Sequence, residues 1–228
     1  MFIQLSSLCR QTNIRHINDT KINQFCHRQT QKEISYYDTG QIESKGWLTY
    51  GKVHRVGAPS IVLYFENGTI QSEMWFKNDK YHRFDHPALI DYFETGQLRY
   101  KAWYNDGKHY RHTTGAPSAI RYFKNGQIES NEWYNDGKYD RADAPAVIGY
   151  FENGQIQREE WAKDGKLHRI AAPAVITYYD DGQIEKEEWF INGERHRIGA
   201  PAEIFYFKNR HILYQLWYKD GKKTNNRR

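Results

Sequence analysis

The sequence has little cysteine and no long run of apolar residues. Its 228 residues include two cysteines, Cys9 and Cys26, and neither lies in a CxxC pair. A reducing compartment is therefore the simpler interpretation. No stretch approaches the roughly 18 apolar residues of a membrane span, and no basic residue precedes the weakly apolar segment Phe2–Cys9. We find no signal peptide and expect an intracellular, cytoplasmic protein.

Apolar residues in general are also few, whereas aromatic residues are many. Hydrophobic residues make up 39% of the chain and aromatic residues 16%, and the mean hydropathy is −0.93. A disordered chain would be poor in aromatic residues. The combination favours a thin structure with little deep core, held together by aromatic and cross-strand contacts.

The formal net charge of +5 is unevenly distributed. Residues 1–32 carry five basic residues and one acidic residue, or +4, and residues 219–228 also carry five and one, or +4. The segment between them then has 5 − 4 − 4 = −3. This distribution argues against a nucleic acid lying along the whole chain.

Proline and tryptophan are infrequent, and they recur together at a fixed spacing. The seven tryptophans are separated by 28, 28, 30, 28, 28 and 28 residues, and each of the six prolines lies 16 residues before the next tryptophan. The chain is therefore an array of seven copies of one unit, numbered here by the tryptophans. These are Trp47, Trp75, Trp103, Trp133, Trp161, Trp189 and Trp217.

Two turn signals divide each unit into strands. One ends at the glycines Gly40, Gly68, Gly96, Gly126, Gly154 and Gly182, and the other is an Asn/Asp-Gly pair after most tryptophans. Asn-Gly and Asp-Gly favour tight hairpin turns, because both residues tolerate positive φ. We therefore predict an all-β fold with about 14 main strands, in one elongated single-layer antiparallel meander or solenoid. Each proline should mark a bend, bulge or edge.

Alternation after each proline predicts one constant and one variable sheet face. Ala146, Ile148 and Tyr150 exemplify the constant face, whereas the other face changes from Leu63 to Asp91. Stacked units would then form aromatic ladders. The predicted ladder residues are Trp75, Trp103, Trp133, Trp161, Trp189, Tyr92, Tyr122, Tyr150 and Tyr178.

The repeat also predicts the domain boundaries. Residues 1–30 lack the complete motif and would form an N-terminal cap with a decayed half repeat, and residues 31–221 would form the array. The basic tail at 222–228 is expected to be disordered. An atypical end is needed because an open sheet edge can pair with another chain.

The candidate binding residues are mainly a repeated basic position. One arginine per complete unit could bind an acidic helix, a phosphoinositide headgroup or a polyanion, or it could pair with a repeated acid or stack on an aromatic ring. His109 and His112 lie in the Gly107–Pro117 segment of unit 3, which is two residues longer than in the other units and is either a tolerated loop insertion or a recognition loop. The repeated arginines are Arg55, Arg83, Arg111, Arg141, Arg169 and Arg197.

No catalytic, metal or cofactor site emerges from these residues. Histidines on neighbouring units should lie about 10 Å apart, two strand spacings, and no second repeated ligand accompanies them. The pair Glu159–Glu160 alternates faces on a strand, and no phosphate-binding GxxxxGK motif occurs. We therefore expect a protein that is not an enzyme and takes no small-molecule substrate.

The run Glu159–His168, Glu-Glu-Trp-x-x-Asp-Gly-Lys-x-His, resembles MORN repeats. The unit here is longer, at 28 residues, and Arg-x-x-Ala-Pro replaces the usual Gly-x-Gly. The chain therefore looks closer to the longer MORN-like variants found in bacterial antitoxin-like proteins and large DNA viruses than to the usual repeat. The resemblance implies a single-layer β rod that scaffolds, dimerises or binds partners.

The sequence thus leads to two functional hypotheses. The first is a non-enzymatic scaffold or adaptor that binds a protein, possibly itself; a role in antitoxin-like immunity would be a special case. The alternative is a protein that binds an anionic lipid or nucleic-acid surface through the arginine ladder and the basic termini.

Overall fold

The computed structural model describes residues 30–110 and 115–224, and the regular structure of these residues is entirely β. The predicted all-β repeat meander is confirmed: fifteen strands follow one another in a single antiparallel sheet, each hydrogen-bonded to its neighbour along the chain. No helix that could cross a bilayer occurs in this part of the chain.

The main sheet contains two strands from each of units 1–6 and three from unit 7. Its strands, in hydrogen-bonded order, are β1 (Thr30–Tyr36), β2 (Ile42–Thr49), β4 (Ile61–Tyr64), β5 (Ile70–Met74), β8 (Leu89–Tyr92), β9 (Leu98–Ala102), β12 (Ala119–Tyr122), β13 (Ile128–Glu132), β16 (Val147–Tyr150), β17 (Ile156–Glu160), β20 (Val175–Tyr178), β21 (Ile184–Glu188), β24 (Glu203–Tyr206), β25 (Ile212–Lys219) and β26 (Lys222–Thr224).

A second row of short hairpins, which we call the side hairpins, follows the tryptophans. In unit 1 this hairpin joins the end of β2 to a two-residue strand, and in unit 7 it joins β25 to β26. The short strands are β3 (Lys52–Val53), β6 (Phe76–Lys77), β7 (Lys80–Tyr81), β10 (Tyr104–Asn105), β11 (Lys108–His109), β14 (Tyr134–Asn135), β15 (Lys138–Tyr139), β18 (Ala162–Lys163), β19 (Lys166–Leu167), β22 (Phe190–Ile191) and β23 (Glu194–Arg195).

The side hairpins turn as the Asn/Asp-Gly signal predicts. In unit 5, for example, Asp164 has φ 51° and Gly165 has φ 80°, so both central residues are left-handed. Unit 2 makes the same turn without glycine, through Asn78 and Asp79. Adjacent hairpins are joined by backbone hydrogen bonds such as Gly193 N–H to the Leu167 carbonyl, at 2.8 Å. Among the described residues, such a bond joins every adjacent pair of side hairpins except those of units 3 and 4.

The two sheet faces differ as predicted. The constant face carries a buried alanine in most units, for example Ala146 and Ala174, followed by isoleucine and tyrosine. The variable face is covered at its tryptophan end by the side hairpins. Contacts of Tyr81 Oη with Met74 Sδ and of Tyr134 Oη with Glu132 show this covering directly. The core is therefore a thin strip that runs the length of the sheet.

The prolines and the C-terminal end complete the description. Each proline lies two residues before a strand, as Pro59 does before β4, where its missing N–H breaks no ladder. At the C-terminus, β26 pairs with Trp217–Lys219. The final hairpin is therefore closed, and Lys222–Thr224, which the sequence placed in a disordered tail, form a paired strand. The predicted cap at 1–30 lies almost entirely outside the described residues.

Candidate interaction surface

Every described arginine of the ladder stacks on the tryptophan of its own unit. The guanidinium carbon lies over the indole ring, which is a cation–π geometry. The distances to the ring centroid are 3.8 Å for Arg55 on Trp47, 3.8 Å for Arg83 on Trp75, 3.8 Å for Arg141 on Trp133, 3.7 Å for Arg169 on Trp161 and 3.7 Å for Arg197 on Trp189.

Each of these arginines also closes a corner loop, which we define as the segment from the arginine to the proline four residues later. In unit 5, Arg169 Nη1 donates a hydrogen bond to the Pro173 carbonyl at 3.2 Å, and the other four described arginines repeat this bond at 3.1–3.2 Å. The repeated Arg-x-x-Ala-Pro pattern therefore has a structural cause: the arginine joins the loop to the indole.

The ladder arginines keep donors for further partners. A guanidinium has five N–H donors, and the described contacts engage one of them on each residue. Among the described residues, none of the five has a carboxylate at ion-pair distance, although Glu73 attracts Arg83 from farther away; stacking on tryptophan is the contact that all five share. Burial lowers the pKa of Arg83 and Arg141 without removing their charge.

In four units the residue before the ladder arginine has a role that the sequence did not indicate. His82 and His168 accept, through Nδ1, a backbone N–H from the side-hairpin turn of the next unit, at 3.4 and 3.2 Å. His196 Nδ1 lies 3.3 Å from the Asp220 backbone nitrogen and 2.8 Å from Asp220 Oδ1, so it joins the same turn as an acceptor or, when Nδ1 carries the proton, as a donor. In unit 4, Asp140 Oδ2 accepts the equivalent bond from Asp164 at 3.0 Å. Histidine and aspartate interchange here because both offer an acceptor. The position therefore joins neighbouring units.

Of the predicted insertion residues, only His109 lies within the described residues. Its ring is stacked between Tyr104 and Tyr134, with centroids 4.1 and 4.0 Å away, and its Nδ1 is buried without a hydrogen-bond partner. Burial also lowers the pKa of His109. His109 is thus a member of the side-hairpin stack. Arg111 and His112 lie outside the described residues.

The predicted tyrosine ladder occupies the constant face, where most of its members pair with the preceding strand. Tyr92 Oη donates to Glu73 at 2.9 Å and Tyr178 Oη donates to Glu159 at 2.7 Å. Tyr150 instead accepts from Asn131 at 3.3 Å, and Lys101 lies over the Tyr122 ring at 5.2 Å. These rings are therefore half-buried, and each is engaged by a side chain of a neighbouring strand.

Three carboxylates are buried on the variable face under the side hairpins. Glu132 accepts hydrogen bonds from Tyr134 at 2.8 Å and Tyr139 at 3.2 Å. Glu188 pairs with Lys186 at 2.7 Å and Arg195 at 2.5 Å, and Arg195 also reaches Glu203 at 3.3 Å. Each carboxylate is engaged by donors. Within residues 30–110 and 115–224, no group of histidine, cysteine or acidic residues could hold a metal ion.

A row of exposed apolar side chains is the feature that sequence reasoning missed. In four units the residue immediately after the ladder arginine is apolar and stands in solvent. The exposed fractions are 86% for Val56, 72% for Phe84, 78% for Ile170 and 83% for Ile198. The residue after Arg141 is Ala142, and the unit 3 equivalent lies in the segment not described. Because these positions vary in identity but not in spacing, the repeat alignment could have revealed the row.

A cleft adjoins this row between units 2 and 3. It has a volume of about 400 Å³ and separates the corner loop at Arg83–Pro87 from the next unit. Its far wall includes Trp103, Tyr104 and Tyr110. The corner loops thus present apolar side chains, stacked arginines and a partly aromatic cleft along the side of the sheet where the strands end. We call this side the loop edge.

Comparison with known proteins adds no family assignment. No protein-family model matches the chain, and no curated protein matches it significantly. The geometry of the loop edge therefore has to carry the functional argument.

Proposed function

We propose that this protein is a non-enzymatic repeat scaffold that binds a protein partner along its loop edge. The observation that carries the proposal is the row of exposed apolar side chains, Val56, Phe84, Ile170 and Ile198, repeated at the same place in four units. Scattered single apolar residues on a surface need no explanation, whereas here exposed apolar residues recur at one fixed position in two pairs of adjacent units, 1 and 2 and 5 and 6. Repetition of one anchor along a rod suits a partner that extends along it.

The remaining surfaces support the same proposal. The constant face is paired internally by tyrosine hydroxyls, and the tryptophan end of the variable face lies under the side hairpins. The tyrosine hydroxyls and Glu132 therefore already have partners within the chain.

The second candidate function is binding to an anionic lipid or nucleic-acid surface. The observation in its favour is that the five described ladder arginines lack carboxylate partners at ion-pair distance among the described residues. Against it, the segment between the basic ends has a net charge of −3. The apolar row would also be unused in a complex held by phosphate contacts alone.

The test is affinity capture from the source cell with the full chain and with chains shortened by whole units. Deleting residues 174–201, or 146–201, removes 28 or 56 residues and joins a proline to an alanine as in the intact array. We expect a small set of proteins retained at high salt, with retention falling stepwise as units are removed. A set of captured proteins that ignores both deletions would contradict the proposal.

Salt and self-capture separate the alternatives in the same experiment. Polyanions as the sole captured species, released as the salt concentration rises, would favour the anionic-surface function. Capture of the untagged chain alone would mean that the partner is a second copy.

A further inference from the structure

The loop edge carries two parallel rows with a common spacing. In units 5 and 6, Arg169 and Arg197 stack on their tryptophans, and Ile170 and Ile198 follow them directly into solvent. Equivalent residues of adjacent units are two strands apart, so the anchors repeat every ~10 Å. A ligand that uses both units must present an apolar side chain at that interval on one side.

A helix meets this requirement and a strand does not. Seven residues of α-helix rise about 10.5 Å and return to nearly the same face. Along a strand, side chains on one face repeat at about 6.6 Å or 13 Å, and a residue three positions away points to the opposite side. The spacing of Ile170 and Ile198 therefore fits apolar residues at positions i and i+7 of a helix.

The positive charge of the adjoining arginine row determines which side chains the flank of that helix must carry. Arg169 and Arg197 each use Nη1 to hold the corner loop and keep further donors. Neither is within ion-pair distance of a carboxylate among the described residues. An acidic side chain beside each apolar anchor would supply the acceptors that the guanidiniums lack, whereas a basic helix would meet two cations of the same sign.

We propose that the corner loops of units 5 and 6 dock an acidic amphipathic helix of the partner protein. Apolar residues seven positions apart contact Ile170 and Ile198, and glutamate or aspartate on one flank pairs with Arg169 and Arg197. The same arrangement recurs in units 1 and 2 through Val56 and Phe84. This inference rests on the proposed function, because it names the partner class for the same edge.

The test uses a synthetic helical peptide and the full chain. The peptide carries leucine at three positions spaced by seven residues, glutamates on one adjoining flank and a fluorophore for anisotropy. Ile170→Ser with Ile198→Ser should weaken binding about tenfold or more, since central apolar anchors dominate such interfaces. Both side chains are exposed, so the fold should persist, as circular dichroism and the thermal midpoint can verify.

The matched control changes two isoleucines of the same strand array at the opposite edge. Ile156→Ser with Ile184→Ser alters the same residue type at positions 38% and 37% exposed, and should leave peptide affinity within about twofold. A second peptide with every flank glutamate replaced by glutamine should bind more weakly, and the difference should shrink as salt rises.

The outcomes separate this inference from the proposed function. No binding of the acidic peptide, equal binding of the glutamine peptide, or equal loss in both isoleucine pairs would overturn the helix-docking inference. If proteins captured from cells remain bound to the Ile170→Ser, Ile198→Ser chain, the scaffold function stands and the docking edge is wrong. Preference of this edge for anionic vesicles over the peptide would also overturn it.

Discussion

Units 2–4 and units 5–7 fill the same space between side hairpins and sheet with different chemistry. In units 2–4 the rings of Phe76, Tyr81, Tyr104, His109, Tyr134 and Tyr139 follow one another at centroid distances of 4.0–4.9 Å. In units 5–7 the equivalent row contains Ala162, Leu167, Phe190, Arg195 and Tyr218. The Arg195 guanidinium lies 5.5 Å from the centroids of the Phe190 and Tyr218 rings and bridges Glu188 and Glu203. In units 2–4 a row of rings fills this space, whereas in units 5–7 an ion-pair network centred on Arg195 lies there.

This difference separates what the repeat fixes from what it leaves free. The backbone pattern is nearly the same in both regions: side hairpins turn at paired left-handed residues and, except between units 3 and 4, bond to the preceding hairpin. Because the turns and ladders define the spacing, the side chains in the row need only fill a common volume and satisfy their polar atoms. An aromatic stack and a charged network both fill this volume and satisfy the polar atoms in it.

The largest expected effect comes from breaking the charged region. Arg195→Met leaves Glu188 and Glu203, which are directly opposite on β21 and β24, with only Lys186 as a cationic partner. Removing one partner of a buried pair costs about 3 kcal/mol. Urea unfolding followed by circular dichroism should show this loss, whereas Lys163→Met, at an exposed position of the same row, should have little effect.

The rescue of this variant is equally informative. Burial alone would raise the pKa of Glu188, but the hydrogen bonds from Lys186 and Arg195 outweigh it and lower the pKa. Adding Glu203→Gln to Arg195→Met removes one of two facing carboxylates and should recover part of the loss. Strict additivity of the two changes would mean that the three residues do not form a network.

The aromatic region should respond less to loss of a single polar atom. Tyr134→Phe preserves the stack with His109 and Tyr139 but removes the shorter hydrogen bond to buried Glu132. We expect a loss of about 1–2 kcal/mol in the free energy of unfolding. Tyr104→Phe keeps the same ring geometry without touching Glu132 and serves as the control. Equal effects of the two variants would show that the hydroxyl contact contributes nothing.

A smaller effect of opposite sign is expected at His109. Replacing it with phenylalanine keeps a ring between Tyr104 and Tyr134 and removes the buried, unpartnered Nδ1. We expect a gain of about 1 kcal/mol near neutral pH. His109→Leu fills the site without a ring and tests whether stacking matters. A gain equal to that of phenylalanine would contradict a role for stacking.

The pH dependence at His109 has a definite sign. Burial lowers its pKa in the folded state, so below the unfolded value of about 6.5 the unfolded chain binds the proton more readily. Stability should therefore fall as the pH drops through and below that value, with a limiting slope of about 1.4 kcal/mol per pH unit. The difference between wild type and His109→Phe should widen on acidification, and a constant difference would contradict the burial of the imidazole.

The sequence was sufficient to predict the backbone fold and insufficient to predict which side chains are exposed and what they contact. The spacing of tryptophan, proline and glycine predicted the meander and the hairpin turns, because those residues act through local φ and hydrogen-bonding rules. The sequence could not decide whether Arg169 binds a ligand, pairs with an acid or stacks on a ring, because its stacking on Trp161 depends on how the corner loop folds back. The exposure of Ile198 is likewise a tertiary property, and an isoleucine at a repeated position is as compatible with a core as with a surface.

The smallest expected effect concerns an exposed ion pair at the hairpin tips, which can be compared with the buried ion pairs of Glu188. Lys108 and Asp136 form a close contact between units 3 and 4, and hydrogen bonding and attraction from Lys108 lower the pKa of Asp136. Both side chains are largely exposed, so solvent screens the pair and its formation restricts two mobile side chains. Asp136→Asn should leave the urea midpoint unchanged at physiological salt, while titration followed by NMR should still show the lowered pKa in the wild type. A midpoint shift comparable to that of Arg195→Met would mean that the tip contacts, and not the buried network, hold adjacent side hairpins together.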